Sequence, residues 1–292
     1  MNTGVGESDS LALFRIRGIP LSGIDIRPVE PPRGIIVALH GGGSRAGYWN
    51  FPANSLLTRA ARRGYRAVAI DRPGYGAAAA LPMPLADQAE VVLDLVTKLR
   101  DRDGPLPVLL AGHSMGGILT LVTGANPRST ELLSALDASG VPLIFPAAQQ
   151  DALLGWQLGQ GETHFPALEQ AHSHSMFFGP DGTFDPAALA YASKLRAPVP
   201  GAEMPDAANA PRNLPAIMRR IELPTRLTFA ELERSSIASA EVIAAARADL
   251  SGSNHADVRI ESNTGHNISL HHGGGAFHDG MIDWLEATGK RR

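Results

Sequence analysis

The sequence contains no cysteine. Disulfides, thiolate nucleophiles and cysteine-ligated metals are thereby excluded. Lysine is nearly absent, with Lys98, Lys194 and Lys290 standing alone among 26 basic residues. Neither sign of charge prevails, and a formal net charge of −3 gives no electrostatic case for nucleic acid or an acidic membrane surface. No apolar run approaches the roughly 20 residues needed to cross a bilayer. Residues 1–10 are polar and glycine-rich, without a basic stretch followed by an apolar one. No signal peptide is read there, and a cytoplasmic location is expected by default. Internal repeats and coiled-coil heptads are missing as well.

What is present fits an ordinary globular protein, 44% hydrophobic and 19% charged. At 292 residues the chain has room for one α/β domain, or for a core with an insertion. The most informative stretch is Pro-Val-Leu-Leu-Ala-Gly-His-Ser-Met-Gly-Gly, residues 107–117. Val108 to Ala111 reads as a buried strand. Gly112-His113-Ser114-Met115-Gly116 fits G-x-S-x-G, and Ile118 to Gly124 can continue as a helix. Strand, sharp turn and helix form the context this motif requires. Read blandly, it is a glycine-rich turn with an ordinary serine. Read chemically, Gly112 and Gly116 let backbones pass a strained turn, Ser114 stands above a sheet, and the Met115 N–H faces a developing oxyanion.

The remaining pattern alternates. Residues 11–29 read as two strands around a turn, followed by the apolar strand Ile35 to Leu39 and then His40-Gly41-Gly42-Gly43-Ser44. A helix is expected over Pro52 to Arg63. A strand over Ala67 to Ile70 ends in Asp71-Arg72-Pro73-Gly74-Tyr75-Gly76. Leu85, Ala89, Val92, Val96 and Leu99 mark an amphipathic helix over Leu85 to Arg100. Another strand falls within Leu132 to Ala138. Later come a strand at Thr225 to Phe229, a helix at Ser239 to Leu250, a strand at Ala256 to Ile260 and a closing helix at Gly274 to Ala287. Such alternation predicts a mostly parallel central sheet flanked by helices, with ligands bound at the carboxyl ends of its strands. The texture changes from Pro142 to Pro215. Here Trp156, His164, Phe165, His172, His174, Phe177 and Phe178 cluster and no strand pattern appears. This stretch is expected to be a mainly helical cap, with a capped helix starting at Asp185-Pro186 and irregular chain over Pro198 to Pro211. The division is then 1–141 and 217–292 for the core and 142–216 for the cap.

Ser114 is a weak nucleophile at neutral pH and needs a base held by an acid. His266, after Gly265 on the loop following the last strand, is the candidate base, because sheet order returns that loop to Ser114. The acid is expected at a strand end between the two. Glu231 and Glu233 share strand parity, so alternation does not choose between them, and Asp137 is a third candidate. The second oxyanion amide is expected from the His40-Gly-Gly-Gly loop, at Gly42. G-x-x-x-x-G-K is absent, and no G-x-G-x-x-G stands between a strand and a helix there, so a nucleotide site is not expected.

Three signatures together resemble the α/β-hydrolase superfamily of the Ser–His–acid type: Leu39-His40-Gly41-Gly42, Asp71-Arg72-Pro73-Gly74-Tyr75-Gly76 and Gly112-His113-Ser114-Met115-Gly116-Gly117. The likeness covers residues 33–140 and 217–290. It implies an α/β-hydrolase fold and a triad of Ser114, His266 and Glu233, with Gly42 and Met115 as oxyanion amides. Glu233 is favoured over Glu231 because it stands where the family carries its Asp, although Ala230 replaces the usual glycine. A second departure is Gly76-Ala77-Ala78-Ala79-Ala80, where a serine often follows Gly-Tyr-Gly. The implied activity is hydrolysis of an ester, thioester or related acyl bond in a small molecule, without metal or organic cofactor; the aromatics of the cap point to a fairly apolar substrate pocket or else form the cap's own core. Tyr48 and Trp49 are candidates for lining the pocket. The same fold also hosts acyl transfer, perhydrolysis, C–C cleavage or cyclisation, and occasionally a non-catalytic receptor. No oligomeric state is read from the sequence.

Overall fold

A computed structural model describes residues 10–158 and 163–289. The strands of its main sheet are β1 (Ser10–Ile16), β2 (Ile19–Ile26), β3 (Ile35–Leu39), β4 (Arg66–Ile70), β5 (Val108–His113) and β6 (Ala135–Ser139). After a separate two-stranded ladder of β7 (His164–Phe165) and β8 (Val199–Pro200), β9 (Thr225–Ala230) and β10 (Ala256–Glu261) complete that sheet. Its order is β1-β2-β4-β3-β5-β6-β9-β10. The run from β4 to β10 is parallel throughout, and β1 and β2 form an antiparallel hairpin on one edge.

Every residue of β3, β4, β5, β6 and β9 is buried. A strand covered on both faces by helices has no polar side to present, which is why Ile35–Leu39, Ala67–Ile70 and Val108–Ala111 read as unbroken apolar runs, while Asp137 of β6 and Arg226 of β9 are buried against each other as an ion pair. Alternate residues serve opposite faces. Ile35, Val37 and Leu39 join one cluster with α2 (Leu85–Asp103), α3 (Met115–Gly124) and α9 (Ala240–Asp249), while Ile36 and Ala38 join another with α1 (Leu56–Arg62) and α10 (Gly274–Thr288). One short helix, α4 (Ser129–Leu132), links α3 to β6.

Between β6 and β9 the chain forms α5 (Ala147–Leu158), α6 (Gln170–Phe177), α7 (Pro186–Lys194) and α8 (Met204–Met218). Helix α7 starts where Asp185 accepts the Ala187 N–H, as a capped start with Pro186 in the first turn demands. The expectation of irregular chain over Pro198 to Pro211 is overturned: Val199 and Pro200 pair in the small ladder, and α8 runs through Pro211 and Pro215. Each internal proline removes a helical hydrogen bond. The offsetting gain is burial of Met204, Ala207, Ala208, Leu214 and Met218 along one stripe against the core. The same stretch also carries a two-residue strand at His164, where no strand was expected.

Candidate active site

Parallel strands deliver all their carboxyl ends to one edge of the sheet. The loops after β3, β5, β9 and β10 meet there. Ser114 joins β5 to α3 with φ 55° and ψ −118°, a conformation that non-glycine residues rarely adopt. Strain of this kind persists only where surrounding structure fixes it. A Cβ at position 112 would lie 2.1 Å from the Gly116 oxygen, and one at 116 would lie 2.3 Å from the Leu39 oxygen. The motif's glycines are therefore set by close backbone approach. The Ser114 N–H donates to the Ser139 oxygen at 2.8 Å, tying the turn to β6. Met115 opens α3, so its N–H has no intrahelical acceptor.

His266 is buried, and its Nδ1 lies 2.8 Å from Oε2 of Glu233. Of the three candidate acids, the structure brings Glu233 to the imidazole. Glu231 is exposed and accepts the Asn263 N–H at 2.8 Å, holding the turn before His266. Asp137 lies buried within β6 with its Oδ2 2.5 Å from Arg226 Nε on β9. The extra methylene of a glutamate is held by a neighbour that the sequence did not point to. The Ser235 hydroxyl and N–H donate to Glu233 Oε1 at 2.8 and 2.9 Å, the Arg234 N–H donates to it at 3.0 Å, and the Ser235 Oγ is 3.0 Å from His266 Nδ1. Burial pushes the Glu233 carboxyl up, but His266 and the Ser235 bonds prevail and hold it below the ordinary glutamate value. Position 140 is a glycine with φ +61°, where a Cβ would lie 2.8 Å from His113 Cε1 and 3.0 Å from His266 Cε1. His271, at the entrance to the closing helix, has a role that the sequence did not display. Its Nε2 accepts the N–H groups of Gly265 and Gly179, at 2.9 and 3.1 Å, and so fixes the loop that carries His266.

On the other side, the His40 loop is pinned from below. Nε2 of His40 accepts the Arg72 N–H at 3.1 Å, which leaves the proton on Nδ1, and Nδ1 donates to the Gly41 oxygen at 2.7 Å. Burial, with Arg72 beside it, pushes His40 well below the ordinary histidine value, so the ring is neutral. A trans peptide directs its C=O and N–H oppositely, so fixing the Gly41 oxygen also fixes the direction of the Gly42 N–H. The Gly43 N–H is already used, donating to the Tyr75 hydroxyl at 3.1 Å.

Gly42, Ser114, Met115 and His266 line one cavity of about 210 Å³. Its remaining walls are mostly apolar and include Phe145, Leu153, Met176, Phe177 and Leu195 from the 142–216 segment. Tyr48 lines it as expected. Trp49 does not: it is fully buried, edge-on to Tyr48 with ring centres 5.1 Å apart. The aromatic cluster divides likewise. His172 and Phe177 face the cavity, whereas Phe178 packs on Phe184 and Phe165 lies against the core. The side chain of Trp156 lies outside the described residues. Among the described residues no group of three or more His, Asp or Glu is placed to hold a metal, and no helix is long and apolar enough to cross a membrane.

The model of the Alpha/beta hydrolase family matches residues 36–279. The chain belongs to this family. No curated protein matches it in sequence. Among solved structures it is similar to a thermophilic esterase from Thermogutta terrifontis, at 14% identity and TM-score 0.72, with 96% of this chain and 99% of that one covered. It is similar also to a thermostable carboxyl esterase from Bacillus coagulans, at 15% identity and TM-score 0.73, covering 96% and 98%. A monoacylglycerol lipase from Paleococcus ferrophilus aligns at 16% identity and TM-score 0.71, covering 92% and 99%. At such identities the likeness shows a shared α/β-hydrolase fold.

Proposed function

We propose that this alpha/beta hydrolase is a serine esterase or thioesterase that works through an acyl-enzyme. The observation that carries the reading is the His266–Glu233 pair, closed at 2.8 Å, in a cavity wall that also presents Ser114. Glu233 accepts the Nδ1 proton and leaves Nε2 as the lone-pair nitrogen, the tautomer a general base needs. His266 takes the Ser114 proton as Oγ attacks the acyl carbon, and returns it to the leaving alkoxide or thiolate. The negative charge gathers on the carbonyl oxygen and is held by the Gly42 and Met115 amides, each contributing about 3 kcal/mol. Water, activated by the same imidazole, then releases the acid.

Residues 142–216 act as a cap that supplies the apolar wall of the acyl pocket. Its limited volume suits a short to medium acyl chain in a small molecule that meets the enzyme in the cytoplasm. Turnover of acyl esters and acyl thioesters of graded chain length tests the proposal. Activity is expected to peak at short to medium chains and to vanish in Ser114→Ala. Turnover that survives in Ser114→Ala contradicts it.

A further inference from the structure

A second constellation lies directly beneath the Gly42 loop, and the catalytic steps above do not use it. Arg72 and Glu203 are both fully buried and form a two-pronged ion pair, Nη1 to Oε1 at 2.5 Å and Nη2 to Oε2 at 3.1 Å. Gln88 donates to Glu203 Oε1 at 3.0 Å and accepts from Arg72 Nη1 at 2.9 Å. Taking two charges out of water costs several kcal/mol per ion, and apolar side chains would fill the same space at no such cost. The pair therefore calls for an explanation beyond packing.

Its connections supply one. Arg72 comes from the loop after β4, and its Nε donates to the His40 oxygen at 2.9 Å. Tyr75, in the same loop, is buried edge-on to the His40 ring, with centres 4.7 Å apart. Its hydroxyl donates to Glu203 Oε2 at 3.4 Å and accepts the Gly43 N–H. Glu203 belongs to the 142–216 segment, in the single turn that leads into α8. One carboxylate from that segment thus reaches both flanks of the Gly41-Gly42 peptide pair: the His40 carbonyl through Arg72, and the Gly43 amide through Tyr75. Two further bonds bind the same elements, Ala197 N–H to the Gly43 oxygen at 2.9 Å and Leu85 N–H to Asp206 Oδ2 at 2.9 Å.

We propose that Glu203 is a positioning residue that, through Arg72 and Tyr75, makes the aim of the Gly42 amide depend on docking of the 142–216 segment. The inference rests on Gly42 serving as an oxyanion donor. An amide displaced by a few tenths of an ångström still binds the ground-state carbonyl but loses part of its hold on the oxyanion. The signature is a fall in kcat at nearly constant KM.

Tyr75→Phe removes the link to Gly43 and leaves the ion pair intact; Glu203→Gln removes the charge. Both are assayed on a p-nitrophenyl ester, with rates expressed per serine titrated by a fluorophosphonate so that misfolded enzyme does not count. Tyr75→Phe is expected to lower kcat about tenfold, and Glu203→Gln about a hundredfold, with KM within twofold. Affinity for a trifluoromethyl ketone, which forms an oxyanion on the serine, is expected to fall in parallel, while affinity for the matching secondary alcohol stays unchanged. Should Glu203→Gln fail to fold, Tyr75→Phe decides alone. Hydrogen exchange over residues 40–46 is the second readout and needs no turnover; it is expected to quicken in either variant. Unchanged kcat per titrated serine, a rise in KM alone, or unchanged exchange overturns the proposal. Failure of the esterase reading shows separately, as a parent enzyme that turns over no ester or thioester, and exchange then still decides the coupling.

Discussion

The loops at the carboxyl edge of the sheet and the segment between β6 and β9 are built differently. In the edge loops backbone meets backbone. Gly112 and Gly116 leave no room for a methyl group, Ser114 is held at positive φ, and the imidazoles of His40 and His271 are spent on backbone amides. In the segment, α6 buries none of its residues, and Gly155 in α5 has nothing within 4 Å of where a Cβ would stand. The contrast separates two tasks. The serine turn and the loop that carries His266 are fixed by main chain and its amides, while the wall that the segment adds to the cavity is made of mostly apolar side chains.

That division can be broken or sharpened by substitution. The largest effect is expected at the acid. Glu233→Ala should lower kcat about 10³–10⁴-fold with KM little changed, measured by steady-state ester hydrolysis, and a loss under tenfold would place the edge loops outside the chemistry. Gly116→Ala should cost about 3 kcal/mol or more by urea unfolding, since the added carbon has backbone on the far side and no side chain to displace.

Acid should loosen the rigid region through His278, buried between the Asn54 oxygen and the Ser269 hydroxyl. Burial lowers this imidazole from 6.5 to about 4. Between those values the unfolded chain binds the extra proton. Stability is therefore full above pH 6.5 and is lost as pH falls toward 4, by up to about 3 kcal/mol. Tm measured against pH should show this slope, and His278→Gln should flatten it. The smallest effect has the opposite sign: Gly155→Ala should stabilise by about 0.5–1 kcal/mol in thermal unfolding, with activity unchanged.

The same contrast explains what the sequence made legible. The runs Ile35–Leu39, Ala67–Ile70 and Val108–Ala111 and the serine turn announce themselves locally, through unbroken apolar sequence and glycines at fixed offsets. The Ser114, His266 and Glu233 loops follow, because a parallel sheet gathers its strand ends. Helix α8 was hidden by its own prolines, whose cost is met by contacts that no local pattern displays. Glu203 and Arg72 lie 131 residues apart in the chain, and neither has a neighbour that betrays the other. Ser235 and His271 were hidden for a related reason: their partners are amides and a carboxylate oxygen placed by the fold.

The most direct measurement is mass spectrometry of the protein after reaction with a fluorophosphonate, on the parent, Ser114→Ala and His266→Ala. One adduct per chain at Ser114 in the parent, none in Ser114→Ala, and labelling slowed by several orders of magnitude in His266→Ala is the expected result. A folded parent whose Ser114 stays unlabelled, or a Ser114 that reacts equally fast without the imidazole, would contradict the account.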